Sequence, residues 1–406
     1  MQKRLPPLVF FLGLLASLAS LAQADFTAPA VNISKSALQS KYPKIAAIEG
    51  TALVFAVWVE TNGTNDYLYF SKSTDSAATW STPFQLSVNG QILTQDDLYD
   101  DYAFSLCVSD PYVHIVIQWR ANPSEDYDIY YIRSTDLGDT WDFFSWNALT
   151  VNDADSMYPD VAAYGQYVHV AYQDYWPGNF DIMYKRIPNY GDAGPDKTRR
   201  LTFSATDSWW PRIAVGNAGN YVSVVYQDVY SDHFNIFFKS IGDYGAGSYA
   251  TYQLTFTTTG WNGRPDIVTG IGSFSYNYFV HVVYETDYPG NFDIMYKRLS
   301  NYGFDPVEII TSRLTYSTTE TRSASISYDT GYDYMHVSYH DSWPGNNDVM
   351  YRKMSGPSGG AYAGQRVSWG SGDSAHATNA ASGAWAYVAW SDNTSGNYEI
   401  YVKYGY

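Results

Sequence analysis

The chain contains one cysteine, Cys107, among its 406 residues. A single thiol excludes an intramolecular disulfide, and the apolar neighbours of Cys107 predict a small core residue on a buried strand. After the first 24 residues, no apolar run approaches the roughly 18 residues that a membrane helix needs. There is no phosphate-binding loop or dinucleotide motif. The sequence therefore predicts no membrane insertion and no cofactor.

Basic residues are also scarce, since 24 Lys and Arg stand against 41 Asp and Glu, for a formal net charge of −17. A surface this acidic repels nucleic acid and anionic membranes, so nucleic acid is not a predicted partner. A solvated acidic surface is the simplest interpretation. A saline exterior, cation binding and a basic partner all remain open.

The first 24 residues have the pattern of an export signal. Lys3 and Arg4 precede an apolar stretch from Leu8 to Leu21, and the small residues Ala22 and Ala24 mark a cleavage site. We expect residues 1–24 to be removed, which leaves residues 25–406 as a single domain. The protein is predicted to be secreted, periplasmic or at the cell surface.

The chain is rich in one repeated pattern. Residues Val168 to Arg186 read VHVAYQDYWPGNFDIMYKR, with near copies from Val222, Val280 and Met335. More divergent copies start at Leu53, His114 and Tyr387. Alignment on the aromatic residue before the turn gives seven positions: Trp58, Trp119, Tyr172, Tyr226, Tyr284, Tyr339 and Trp390. A nearly constant period of this length is typical of a β-propeller.

Each copy predicts a β-hairpin, because two apolar runs flank a polar turn rich in Asp, Pro, Gly and Asn. A second pattern, at Leu149, Leu201, Leu254 and Leu314, supplies a further strand on each side of a loop. The sequence therefore predicts an all-β fold: a seven-bladed propeller with four-stranded antiparallel blades. The segment from Val31 to Ser34 is expected to complete the last blade and close the ring, so trimming to about Lys41 should destabilise the protein severely.

Two turns share a further motif. The stretch from Ser134 to Trp141 matches S-x-D-x-G-x-T-W in full, and that from Ser73 to Trp80 matches except for Ala77. These turns resemble the Asp-boxes of BNR-repeat, sialidase-like propellers. The resemblance implies a structural turn in which the carboxylate accepts backbone N–H groups, glycine takes a positive φ and tryptophan packs between sheets. The residues concerned are Ser73, Asp75, Trp80, Ser134, Asp136, Gly138 and Trp141.

The repeated loops are expected to meet on one face, where they bring aromatic rings beside carboxylates. Sugar binding needs this combination, because a pyranose has an apolar face and a rim of hydroxyls. The candidate ligand-binding residues are Asp174, Trp176, Asp181, Trp209, Trp210, Asp228, Trp261, Asp341 and Trp343. The alternative is structural: the carboxylates tie their own turns and the rings fill gaps between blades.

No metal site is predicted, although calcium is not excluded, because Asp174, Asn179 and Asp181 place three oxygen donors around one turn. The sialidase-like resemblance implies three arginines that grip a substrate carboxylate. Arg212, Arg264 and Arg322 precede three successive hairpins at similar positions. Two features depart from that family: Lys44 stands where its first blade has arginine, and this chain has seven repeats where sialidase propellers have six blades.

Near-identical loops on several blades favour repeated binding sites, whereas an active site is one asymmetric constellation. The sequence therefore predicts a non-catalytic module that recognises an extracellular glycan or protein. One alternative is a sialidase-like enzyme, or another glycoside hydrolase or lyase, acting on the loop-rich face. The other is a structural envelope or surface protein. The oligomeric state is not predicted.

Overall fold

The computed structural model describes the chain from residue 25 onwards, with gaps. The described residues are 25–86, 90–94, 100–142, 147–176, 178–188, 197–216, 220–271, 278–288, 290–300, 309–343, 345–355 and 364–406. The predicted export signal, residues 1–24, lies outside them. Within the described part, no helix is long and apolar enough to cross a bilayer.

The described residues form 28 strands and one short 3₁₀ helix, Asp100–Tyr102. The first fourteen strands are β1 (Val31–Asn32), β2 (Gln39–Ala47), β3 (Val54–Thr61), β4 (Asp66–Ser73), β5 (Phe84–Gln85), β6 (Phe104–Ser109), β7 (Tyr112–Trp119), β8 (Asp128–Ser134), β9 (Asn147–Ala148), β10 (Ser156–Tyr164), β11 (Tyr167–Asp174), β12 (Asp181–Pro188), β13 (Lys197–Arg200) and β14 (Ser208–Val215). The others are β15 (Val222–Tyr230), β16 (His233–Ile241), β17 (Tyr249–Gln253), β18 (Asn262–Ile271), β19 (Tyr278–Thr286), β20 (Asp293–Ser300), β21 (Ile309–Arg313), β22 (Thr321–Asp329), β23 (Tyr334–Asp341), β24 (Asp348–Ser355), β25 (Gln365–Arg366), β26 (Ser374–Ser382), β27 (Trp385–Asp392) and β28 (Glu399–Gly405).

The strands form seven four-stranded sheets, or blades. Blades 1 to 6 contain β2–β5, β6–β9, β10–β13, β14–β17, β18–β21 and β22–β25, each in chain order. Blade 7 has the order β26-β27-β28-β1. The first strands of neighbouring blades contact one another, and β2 contacts β26, so these strands surround a central axis. The predicted seven-bladed propeller with four-stranded antiparallel blades is confirmed.

The outer strand of blade 7 comes from the other end of the chain. In β1, Val31 is opposite Val402 of β28, and just beyond it the Ile33 amide donates to the carbonyl of Ile400 at 2.8 Å. The Ile33 side chain is buried between blades 7 and 1, with Val54 and Val402 among its neighbours. Residues far apart in sequence therefore share one sheet and one apolar cluster.

The core lies between blades, where the middle strands bury nearly every side chain. For example, β11 contributes Val168 and Val170 to one interblade cluster and Ala171 to the next. Four histidines recur at one position of the second strand, and each places Nδ1 within 2.7 Å of a tyrosine hydroxyl on the third strand: His114, His169, His281 and His336. Cys107 is partly buried on β6, where it packs against an interblade cluster, and desolvation raises the pKa of its thiol.

One repeat was aligned incorrectly from the sequence. Asp128 and Asp181 occupy equivalent positions, because each accepts a hydrogen bond from the threonine hydroxyl of the following segment. Trp119 is opposite Asp128, as Asp174 is opposite Asp181. Trp119 therefore occupies the position of Asp174, two residues beyond the aromatic position used to count the repeats.

The two Asp-box-like turns are held by the same hydrogen bonds. Asp136 accepts the Thr140 amide at 2.8 Å and the Thr140 hydroxyl at 2.6 Å, and Asp75 accepts from Thr79 at the same distances. Desolvation raises the pKa of Asp136, but these and the neighbouring hydrogen bonds together outweigh it, so that the pKa is lowered. Gly138 has a φ of 82°, a conformation that glycine adopts without strain.

We expect Asp136→Ala to lower the free energy of unfolding by about 1–2 kcal/mol, because the turn loses its carboxylate acceptor. Urea denaturation measures the change. Asp142→Ala, at an exposed site just after the turn, is the control and should stay within about 0.5 kcal/mol of wild type. Equal effects of the two substitutions would contradict the role assigned to Asp136.

Candidate functional site

A repeated bulge opens the first strand of six blades towards the axis. The register between the first and second strands shifts at the same place in every blade except blade 2. One residue in each bulge has a φ between 47° and 56°: Tyr42, Tyr158, Trp210, Arg264, Ser323 and His376. These six non-glycine residues lie around one end of the central channel that the first strands enclose, which is called the channel mouth below. Backbone strain of this kind is typical of functional sites.

The second strand of the preceding blade supports this ring. The amides of Tyr158 and Trp210 donate to the side chains of Gln118 and Gln173 at 2.9 and 3.1 Å. The Ser323 amide donates to Glu285 at 2.7 Å in the same way. These three bulges are therefore fixed by the preceding blade, which holds their strained backbone in place.

Blade 2 breaks the pattern and supplies different chemistry. Its first strand has no bulge, and the 3₁₀ helix Asp100–Tyr102 precedes it. Asp101 and Tyr102 of this helix line a polar cavity of about 150 Å³ on the axis. Lys44, Asp160 and Arg212 line the same cavity. The site is therefore asymmetric, although the fold that surrounds it is repetitive.

Asp101 is the acidic centre of this constellation. Burial alone would raise the pKa of its carboxyl, but Arg264, His376, Lys44 and Arg212 together lower it, so Asp101 is ionised at neutral pH. Its Oδ1 atom has no hydrogen-bond partner among the described residues. An ionised, buried carboxylate oxygen without a partner is costly, and a ligand would relieve that cost.

The other buried carboxylates near the axis are occupied. Asp160 accepts the Ser105 hydroxyl at 2.6 Å and the Ile213 amide at 2.8 Å. Asp266 accepts the amides of Ile267 and Ile326, both at 2.9 Å. These carboxylates join neighbouring first strands, so their role is structural.

The three arginines predicted from the sialidase resemblance do lie around the axis, but they do not form one grip. Arg264 and Arg322 both approach Glu285, at 3.7 and 3.5 Å, and Arg322 also approaches Glu320 at 3.3 Å. Arg212 lies 3.7 Å from Asp160 and stacks on Tyr102, with its Cζ 3.9 Å from the ring centre. Arg212 lines the cavity. Arg264 is close enough to Asp101 to lower the pKa of its carboxyl, whereas Arg322 is bound to acidic side chains.

Two histidines complete the mouth. Burial lowers the pKa of His340 to about 3 and that of His376 to about 4, although Asp101 opposes both shifts. Both imidazoles are therefore neutral at pH 7. The Nδ1 atoms of both rings lack hydrogen-bond partners within the described ranges. His376 packs edge-on against Tyr42, with 4.4 Å between ring centres, and remains half-buried.

The buried histidines predict an acid-sensitive fold. The pKa of His281 is lowered to about 3 by burial and by Arg298, below the value of roughly 6.5 for an unfolded chain. The unfolded state therefore binds protons first as pH falls. The contribution of such a histidine to stability is constant above about pH 6.5 and declines towards pH 3, by up to about 1.4 kcal/mol per pH unit. Urea denaturation at pH 7.5 and 5.0 should show this loss of stability. His281→Asn should make the loss smaller, whereas the control His233→Asn, in a hairpin turn, should not change it. An unchanged slope for His281→Asn would contradict the assignment.

Three predicted tryptophans pack together beside the mouth. Trp210 is buried against Tyr102, and Trp209 and Trp261 are partly buried in the same aromatic cluster. Trp209 stacks on Phe234 at 5.2 Å, and Trp261 packs on Phe292 at 5.5 Å. These rings fill space between loops, and their edges lie next to the cavity residues.

The predicted aspartates of the hairpins are hydrogen-bonded, and Asp174 and Asp228 are buried, whereas Asp341 is partly buried. Asp174 accepts from Asn152, Ser156 and the Trp176 amide. Asp228 accepts from the Ser208 hydroxyl and the Val229 amide. Asp341 accepts from the Thr319 hydroxyl and the Trp343 amide. Each carboxylate joins its hairpin loop to the start of its own blade.

Asp181 is completely buried, where it accepts from Thr202 and pairs with Arg200 at 2.5 Å. Asn179 donates its side-chain amide to the Thr206 carbonyl at 3.0 Å. The weak cation candidates are thus engaged with protein groups, and no cluster of three or more His, Cys, Asp or Glu side chains suited to a metal occurs in the described part of the chain. Trp176 and Trp343, by contrast, are well exposed on the hairpin loops.

Sequence reasoning missed Asp101, His340 and His376. Each departs from the repeat: His340 stands where three other blades have Gln118, Gln173 and Gln227, and His376 where others have tyrosine or tryptophan. The acidic stretch before Phe104 likewise replaces the usual bulge sequence. A residue that breaks a repeat at an inward-facing position is the signal that could have identified this site.

No family model matches the sequence, and no curated protein matches it significantly. Solved structures do share the fold. One is an ulvan lyase of family PL25, bound to -[GlcA(1-4)Rha3S]-, with a TM-score of 0.60 and 11% identity over 92% of this chain and 95% of that one. The polysaccharide lyase Uly1 gives a TM-score of 0.57 and 8% identity, covering 89% of each chain. The NanB sialidase of Streptococcus pneumoniae, as a K499G mutant, gives 0.51 and 9%, over 78% and 69%.

These neighbours are enzymes that act on glycans. The finding contradicts the prediction of a non-catalytic recognition module and favours the enzyme alternative. The inference from repeated loops was wrong because the loops on the outer part of the blades are repetitive, whereas the residues at the axis are not. At such low identity, the likeness is one of fold.

Proposed function

We propose that this protein is a polysaccharide-cleaving enzyme whose active site is the mouth of the central channel. We further propose that it acts as a lyase on chains that contain uronic acids. The observation that carries the proposal is the asymmetric set of buried cations and neutral histidines around the axis, together with Asp101, which lines the cavity and has an oxygen unpaired among the described residues. The ulvan lyase with the same fold was solved with a glucuronate-containing saccharide, which supports the choice of substrate.

β-Elimination at a uronate requires three groups. A cation must neutralise the carboxylate, a base must take the C5 proton, and an acid must protonate the leaving oxygen as the C4–O bond breaks and the C4=C5 double bond forms. Arg264 and Arg212 are the cations. His376 is the base, because its low pKa keeps the imidazole neutral. Burial raises the pKa of Tyr102, so its phenol stays protonated and can supply the proton.

Hydrolysis is the second candidate, and Asp101 favours it. A glycoside hydrolase uses two carboxyl groups, one as acid and one as base or nucleophile. Asp101 is ionised and has an unpaired oxygen, as a base or nucleophile requires. The pKa of Glu285 is raised by burial, against Arg264 and Arg322, as expected for an acid. However, Glu285 also accepts the Ser323 amide and lies beside two arginines, so it is less available.

One assay separates the two reactions. The protein is incubated with ulvan, polygalacturonate and arabinan, and both new reducing ends and absorbance near 235 nm are followed. A lyase produces an unsaturated uronate, so both signals rise together on a uronate polymer. Reducing ends without the absorbance would indicate hydrolysis and overturn the lyase proposal. No cleavage of any of the three polymers would count against the enzyme proposal itself.

A further inference from the structure

An exposed aromatic residue recurs on the outer part of the propeller, away from the channel. In four blades a buried aliphatic residue follows the outer strand, and the exposed aromatic stands two residues after it. The four aromatic residues are Phe203, Phe256, Tyr316 and Trp369. These side chains are 68%, 73%, 72% and 71% exposed. Four large apolar side chains that are exposed at one structural position form a repeated surface feature rather than scattered exposure.

Three of these rings rest on an anchored arginine. The Arg200 guanidinium lies 4.7 Å from the centre of the Phe203 ring, donates from Nε to the Thr202 carbonyl at 2.9 Å and pairs with Asp181. Two further sets repeat this arrangement: Asp293, Arg313 and Tyr316, and Asp348, Arg366 and Trp369. In blade 4, Gln253 takes the place of the arginine and donates to the Thr255 carbonyl at 2.8 Å.

The buried aspartate fixes the arginine, and the arginine covers one face of the ring. The opposite face is left for another partner. A ring held in this way loses little conformational freedom when it binds, which makes it an effective stacking platform. The buried Asp181 thus supports a surface site through Arg200, without touching the ligand.

The hairpin loop of the next blade supplies a second exposed aromatic. Phe256, after the outer strand of blade 4, and Tyr288, in the hairpin loop of blade 5, border a pocket of about 460 Å³, which Thr286, Lys297 and Arg313 also line. Tyr316, after the outer strand of blade 5, and Trp343, in the hairpin loop of blade 6, border an equivalent pocket of about 450 Å³, with Asp341 and Arg352 among the lining residues. Tyr288 and Trp343 are 65% and 61% exposed.

We propose that these two pockets are non-catalytic binding sites for sugar residues of a polysaccharide. Each combines two aromatic rings with hydroxyl, carboxylate and cationic groups, which matches the apolar faces and polar rim of a pyranose. A protein partner would instead require one continuous apolar patch, whereas these rings are separated by polar side chains. Because the pockets repeat on adjacent blades, one glycan chain can occupy both, and the combined affinity exceeds that of either alone.

The sites go beyond the proposed catalysis and are tested apart from it. Affinity electrophoresis of the full protein in native gels that contain ulvan, polygalacturonate or arabinan measures binding. Wild-type protein should be retarded by at least one of these polymers. The double variants Phe256→Ala/Tyr288→Ala and Tyr316→Ala/Trp343→Ala should each weaken binding about tenfold, and the quadruple variant should abolish it. Tyr332→Ala, which removes an exposed aromatic from the β22–β23 turn on the opposite face, should bind like wild type.

Cleavage of a soluble tetrasaccharide by the quadruple variant should equal that of wild type, because the two pockets share no lining residue with the axial cavity. His376→Ala should lose cleavage and keep its retardation in the gel. The proposal is overturned if the quadruple variant is retarded like wild type, if Tyr332→Ala weakens binding as much, or if none of the three polymers retards the wild-type protein. None of these outcomes depends on which reaction the channel mouth performs.

Discussion

His376→Ala is expected to lower glycan cleavage by about 10³-fold, within the range that general-base catalysis contributes. The imidazole is neutral at pH 7 because burial lowers its pKa to about 4, and its Nδ1 atom is unpaired among the described residues. It lies on a strained bulge, with φ at 55°, beside Asp101 and Arg264. Initial rates on the best polymer from the assay above give the measurement.

Folding has to be separated from chemistry in this experiment. The melting temperature of His376→Ala should change by only a few degrees, because the ring is half-buried and its ring contacts are edge-on, with Tyr42 and His340. His233→Ala, in the hairpin turn of blade 4, is the matched control and should retain full activity. A rate for His376→Ala within tenfold of wild type, with normal stability, would exclude this residue as the base.

Removal of residues 25–38 is expected to cause the largest loss of stability. The segment supplies β1, the outer strand of blade 7, and the Asn397 side chain donates to its carbonyls at Ser36 and Leu38. Ser34 accepts the Ile400 amide at 2.8 Å, and Phe26 packs on Tyr351 at 4.9 Å. Without these groups, β28 becomes an exposed edge beside an opened apolar cluster. We expect the melting temperature to fall by more than about 10 °C, or the protein to aggregate.

Single substitutions test the same interaction more gently. Ile33→Ala should cost about 2–5 kcal/mol, because Ile33 is only 3% exposed. Lys35→Gly is the control: Lys35 is exposed and has a φ of 48°, so glycine fits without strain and stability should be unchanged or slightly higher. A truncated protein that melts at the wild-type temperature would show that β1 contributes little to closure.

The fold could be predicted from the sequence because one hairpin pattern recurs seven times and its alternation sets the strand period. Blade 2 shows the limit of that reasoning. Trp119 looks like the aromatic residue that precedes the turn in every repeat. Because it pairs with Asp128, it stands two positions later along the strand, and Ile117 takes the core position that the aromatic residue has in other blades. An aromatic residue alone does not fix the register of a strand, whereas its cross-strand partners do.

The site was harder to predict, for a physical reason. Asp174, Asp228 and Asp341 attract attention because they recur, yet recurrence reflects a turn that every blade must build. Catalytic groups occur once. The bulges that turn Arg264 and His376 towards the axis are a backbone property, which residue types alone do not reveal. Asp181 pairs with Arg200, and Arg200 packs on the Phe203 ring. These three residues lie on two strands and a loop, so their contacts are visible only in the folded chain.

A crystal structure of the His376→Ala variant soaked with a uronate tetrasaccharide would test the central claim most directly. The account predicts a sugar carboxylate within about 3 Å of the Arg264 or Arg212 guanidinium, at the mouth of the channel, with the scissile bond near position 376. Additional sugars in the pockets of blades 5 and 6 would be consistent with it. A saccharide bound only in those pockets, or on the opposite face, with an empty channel mouth, would contradict the account.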